Sequence, residues 1–71
     1  MTQRHVLPHR DAGGWEVVIE AEERTTAHRT DSQADAVNLA CTDSRHDGGG
    51  QVFIHGIRGE LRDTRTIRPT G

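Results

Sequence analysis

Apolar positions recur along the chain in two rhythms, and the switch between them divides it. Arg4-His5-Val6-Leu7-Pro8-His9 reads as a first strand, and Asp11-Ala12-Gly13-Gly14 as a turn. In Trp15-Glu16-Val17-Val18-Ile19-Glu20 the period is two: Trp15, Val17 and Ile19 share one face, Glu16, Val18 and Glu20 the other. Ala21-Glu22-Glu23-Arg24 turns the chain again, and Thr25 to Thr30, threonine-rich, reads as a third strand. The period then lengthens. Ala34, Val37, Ala40, Cys41 and Ser44 fall on one helical stripe of small residues, suited to lying close on a sheet, and Leu39 falls off it. Either Ser32 with Asp35 or Thr30 with Gln33 supplies the N-terminal box. Gly48-Gly49-Gly50 ends the helix, because glycine accepts the left-handed conformation there. Val52 to His55 is a fourth strand, Gly56 to Gly59 a tight turn, and Glu60-Leu61-Arg62 opens a fifth strand.

The expected architecture is α+β: a small, mostly antiparallel sheet of about five strands in the order β-β-β-α-β-β, with one helix on one face. Proline cannot donate to a ladder, so Pro8 places the first strand at an edge or ends it there. Trp15, Val17, Ile19, Val52, Ile54 and Leu61 would meet Val37 and Ala40 on the covered face. Val18, Phe53 and His55 would lie on the face without a helix. Residues 1–71 form a single domain, with its core over about 4–62 and a flexible basic tail at 65–71.

Composition sharpens this picture. Fourteen large apolar side chains, from valine to tryptophan, must serve 71 residues. That is a small core, and it predicts a chain that leans on a partner. The longest apolar run, Val17-Val18-Ile19, is far short of a bilayer span, and no apolar signal segment follows Met1. One cysteine makes no internal disulfide, so a reducing cytoplasm is the expected setting.

The net charge of −2 is uneven: +2 over residues 1–10, −6 over 11–50 and +2 over 51–71. All nine basic residues are arginine, whose fork suits phosphate, though GC-rich coding gives the same bias. If the first and last strands share a side, Arg4, Arg10, Arg58, Arg62, Arg65 and Arg68 form a patch for phosphate backbones or acidic surfaces. The acidic middle could equally meet the basic ends of a second copy. Five histidines would move the net charge from −2 toward +3 on acidification.

Several motifs together resemble one family. They are His5-Val6-Leu7-Pro8-His9, Gly14-Trp15-Glu16-Val17, Ser32-Gln33-Ala34-Asp35-Ala36, Gly49-Gly50-Gln51-Val52-Phe53-Ile54-His55 and Gly59-Glu60-Leu61. In order and spacing they resemble a small bacterial family catalogued as domain of unknown function 2188, over roughly residues 4–62. Ser32 replaces the family's usual threonine, Arg58 the Asp of an Asp-Gly turn, and Ser44 a larger apolar residue. The resemblance implies a compact β-rich domain with one helix and no assigned activity.

Candidate chemistry is sparse. His5 and His9, four apart in a strand, lie roughly 13 Å apart, too far to ligate one tetrahedral metal, so neither a metal nor another cofactor is expected. Cys41 sits on the apolar stripe with no base beside it, as a small buried residue does. Glu22 and Glu23 read as solvated turn charges. The triple glycine follows a helix, where a phosphate loop precedes one. Trp15 is in phase with Val17 and Ile19, as a core anchor rather than a stacking platform. These features point to a non-enzymatic module for protein interaction or self-association. Its candidate surface is His5, His9, Arg10, Val18, Phe53, His55, Arg58 and Arg62. The alternative is nucleic-acid binding through the arginine-rich first strand and last hairpin. The expected partner is a second copy or another protein, with nucleic acid as the lesser option and no membrane.

Overall fold

The computed structural model describes residues 2–9, 11, 13–20 and 25–69. Five strands, β1 (Thr2–Pro8), β2 (Trp15–Glu20), β3 (Thr25–Thr30), β4 (Gly50–His55) and β5 (Leu61–Ile67), and one helix, α1 (Gln33–His46), follow in the order β-β-β-α-β-β. The sheet order is β3-β2-β1-β4-β5. Three pairings are antiparallel, and the central one, β1 with β4, is parallel. A parallel pair needs a crossover, and β2, β3 and α1 together supply it.

The first strand is central rather than at an edge, and it ends at Pro8, the other position in which a proline is tolerated. The His9 N–H turns toward β2, donating to Gly14 O at 2.9 Å. Strand alternation then aims the missing N–H of Pro8 at the β4 side, where pairing stops at Val6↔Ile54.

Helix α1 starts where the Ser32 hydroxyl accepts the Asp35 N–H at 3.1 Å, so the later of the two candidate boxes forms. Its end is a glycine stop: Gly48 has φ +85°, and the Gly49 N–H reaches back to Ser44 O at 2.7 Å. Ala36, Ala40, Cys41 and Ser44 are the buried side chains of this helix. Their small size brings it down onto Val6, Val17, Val52 and Ile54, with Trp15, Val37 and Ile67 packed at the margin.

Two register shifts move residues off their expected faces. Between Ile54 and His55 the β4–β5 ladder skips Arg62, so His55 pairs with Leu61. That skip reverses the alternation and turns Leu61 to the open face, where it is 56% exposed instead of covered. A second shift, between Val17 and Val18, skips Ala27 of β3. The last strand also runs on to Ile67, so residues 65–67 are part of the sheet rather than of a tail. Backbone pairing to β4 and the seating of Ile67 on the core hold this almost wholly polar strand.

Arg4 shares its face with Val6 and is only 3% exposed, beneath the end of the helix. Its Nη2 donates to Asp47 Oδ2 at 3.0 Å. The Arg4 hydrogen bond first, then one from Thr2, holds the Asp47 carboxyl below its ordinary value of 3.8. Folded Asp47 therefore binds a proton less readily than unfolded Asp47. The stability it contributes is complete above about pH 4 and is lost as pH falls further. Urea midpoints followed from neutral pH to pH 3 should drop more steeply for the wild type than for Asp47→Asn, with the two curves converging in acid. Parallel curves would mean that the pair adds nothing.

Candidate functional site

The face opposite the helix is built by the odd positions of β1 and their neighbours. His5 lies between Val18 on β2 and Phe53 on β4 in the pairing register. Its ring stacks on Phe53, with centroids 5.0 Å apart and planes inclined by 22°. Two residues along β4, His55 brings Nε2 to 3.0 Å from His5 Nδ1. The outer nitrogens are also engaged: His5 Nε2 lies 2.7 Å from Glu20 Oε2, and His55 Nδ1 lies 3.1 Å from Gly59 O.

Carboxylate and carbonyl oxygens only accept, so they fix the tautomers: His5 carries its proton on Nε2 and His55 on Nδ1. The result is a linear chain, Glu20–His5–His55–Gly59, across three strands and the last turn. That turn has the right shape for it. The Gly59 N–H donates to Gly56 O at 2.9 Å, and Gly59 takes φ +85°, while Ile57 and Arg58 keep negative φ. This is a type I turn with a glycine bulge, not the type I′ turn of an Asp-Gly pair.

Of the expected surface residues, His5, Val18, Phe53 and His55 converge on this face. His9 stands apart at the far end of β1, its Nε2 3.6 Å from Glu16 Oε2. Arg58 is exposed in the turn. Arg62, the skipped residue, turns away from the open face and joins Gln33, Val37, Asn38 and Arg65 around a shallow groove of about 520 Å³ beside α1. Arg10 lies outside the described residues, as do Glu22 and Glu23. Arg4 is buried on Asp47, which removes it from any surface patch of arginines. Arg65 in turn has its Nε 3.7 Å from Asp63 Oδ2.

Glu20 and the Gly59 carbonyl were not among the expected site residues. The hairpin register placing Val18 opposite His5 also sets Glu20 diagonally beside it, and that was the signal for Glu20. A second histidine–carboxylate contact, His28 Nε2 to Asp43 Oδ2 at 2.5 Å, ties β3 to the helix on the covered side.

The family model described as an uncharacterized protein conserved in bacteria (DUF2188) matches residues 4–67. The chain belongs to the DUF2188 family. That match carries the helix and all of the described sheet except Thr2 and Gln3 at the start of β1, and it includes the end of β5. No curated protein and no solved structure matches the chain. No helix among the described residues of this DUF2188 member is long and apolar enough to cross a membrane.

Proposed function

We propose that this DUF2188 chain is a non-enzymatic module of the cytoplasm that works by association, and that the open sheet face docks a second copy of itself. The observation that carries this reading is a sheet with one helix for two faces. Helix α1 covers one side; the other has no helix over it and carries the exposed Leu61 and the half-buried Phe53 with the His5 ring stacked on it, while Val18 beside them is buried. At the hairpin beside it, Ile57 is 69% and Leu61 56% exposed.

A two-fold interface needs a surface that complements itself. This face supplies an apolar centre flanked by histidine and glutamate side chains of opposite character. The long and middle extents of the molecule, 37 and 23 Å, leave room for a standard interface, which takes about 800 Å² from each partner. Sedimentation velocity of the full chain at micromolar concentration should give a mass that rises from one copy to two with concentration. Leu61→Asp should hold it at one copy with an unchanged circular dichroism spectrum. A wild type that stays a stable monomer throughout overturns the proposal.

Nucleic-acid binding is the lesser reading. With Arg4 engaged by Asp47, it rests, among the described residues, on Arg58, Arg62, Arg65 and Arg68 of the last hairpin and the residue after it. A mobility shift at low salt, abolished by added salt, would favour it over docking.

A further inference from the structure

The His5–His55 contact has an oxygen acceptor at each end and two ring nitrogens 3.0 Å apart at its centre. Three hydrogen bonds in a row need three protons, and two neutral imidazoles hold two. Both are committed outward, to Glu20 Oε2 at 2.7 Å and Gly59 O at 3.1 Å. With both rings neutral, the lone pairs of His5 Nδ1 and His55 Nε2 would face each other across 3.0 Å, with ring centroids 5.3 Å apart, and a third proton or a cation would close the gap. Something electrophilic belongs between them.

Histidines that ligate a metal show this arrangement. The outer N–H donates to a carboxylate or a backbone carbonyl, which fixes the tautomer, aims the ring and raises the basicity of the inner nitrogen. Both outer partner types are present here, one on each ring. Two nitrogens at the usual 2.0–2.1 Å from a tetrahedral ion stand roughly 3.3 Å apart. A swing of a few tenths of an ångström in the rings reaches that spacing. The Phe53 ring under His5 holds one ligand in place, and the Gly56–Gly59 turn holds the acceptor for the other.

We infer that His5 Nδ1 and His55 Nε2 form a two-histidine site for a borderline-soft divalent ion such as Zn²⁺, with Glu20 as a positioning residue and water completing the coordination. Among the described residues no group of three or more His, Cys, Asp or Glu side chains is placed to hold an ion. The site is therefore a pair, and imidazole donors select the zinc, copper and nickel class over magnesium or calcium. It differs from the pairing of His5 with His9 that the sequence brings to mind, since His9 is turned to Glu16.

Titration calorimetry of the full chain with ZnCl₂ at neutral pH, in a buffer that does not bind zinc, tests the site. The expected result is one saturable ion per chain with micromolar affinity. His5→Gln and His55→Gln should each weaken it by about tenfold or more, and Glu20→Gln by about tenfold with the stoichiometry kept. His9→Gln should leave it unchanged. Should a variant fail to fold, the ring nitrogen resonances of the wild type give the same answer: His5 Nδ1 and His55 Nε2 should shift on adding Zn²⁺. The absence of saturable binding, binding that survives both histidine substitutions, or unmoved resonances would each overturn the inference and leave a shared proton in the gap. The site lies within one chain, so these outcomes hold whether or not two copies dock.

Discussion

Replacing Gly50 by alanine is expected to destabilise the fold by about 3 kcal/mol. Gly50 is the first residue of β4 and stands opposite Thr2, where the parallel pairing with β1 begins. Its φ of +152° is a backbone state that a side chain rarely adopts, and a Cβ there would run into the Thr2 carbonyl. Relief requires β1 and β4 to part at the centre of the sheet. Gly48 provides the comparison. It too has positive φ, +85°, but a Cβ on it would meet nothing within 4 Å. Gly48→Ala should therefore cost only the conformational strain, about 1–2 kcal/mol. Urea unfolding of the two variants, read at equal slope, separates backbone strain from collision. Equal losses would mean that β1 and β4 do not approach so closely.

The second large effect concerns Arg4, and its sign depends on the replacement. Only Nη2 has a protein partner, the exposed Asp47. Nε and Nη1 are buried without a protein partner, as is Ser44 Oγ. A buried donor left unmatched costs roughly 1–3 kcal/mol, and buried ion pairs often yield to apolar residues of like volume without loss. Arg4→Met keeps the length of the stem and removes the unmatched donors. It should be neutral or stabilise by about 1 kcal/mol. Arg4→Ala also removes the stem that fills the space under the helix end, and should cost about 2–3 kcal/mol. Thermal unfolding of both variants at neutral pH checks this. A methionine variant as unstable as the alanine one would show that the guanidinium itself is required.

The α+β class and the element order were legible because each rested on a local rule. The alternation of Trp15, Val17 and Ile19 placed β2, the small-residue stripe marked α1, and the triple glycine marked its end. What stayed hidden was set by partners distant in sequence. Pro8 suggests an edge strand until the parallel ladder is seen to end at Val6. Leu61 belongs to the covered face by simple alternation, and only the skipped Arg62 moves it. The strand character of residues 63–67 comes from pairing with β4, since a polar run ending in one isoleucine carries no periodic signal. Arg4 is the instructive case: its parity with Val6 pointed inward, but its charge suggested the surface.

The open face shows the same division. Val18, Phe53 and His55 were assigned to it from phase alone. The proximity of His5 to His55 follows from the parallel β1–β4 register, which sets His5 beside Phe53, and an antiparallel arrangement of those strands would not imply it. Glu20 and Gly59 then complete the chain through the β1–β2 hairpin and the last turn, two features whose geometry depends on the same central pair of strands.

The central claim is that the face without a helix is the one this DUF2188 chain uses. Amide and methyl chemical shifts of the isotope-labelled chain, followed from dilute to millimolar concentration, test it most directly. The account predicts shifts centred on Val18, Phe53, His55 and Leu61, with Asp35, Leu39 and Arg45 on the outer side of the helix unmoved. Shifts centred on the helix or on the groove lined by Arg62 and Arg65, or a spectrum that does not change at all, would contradict it.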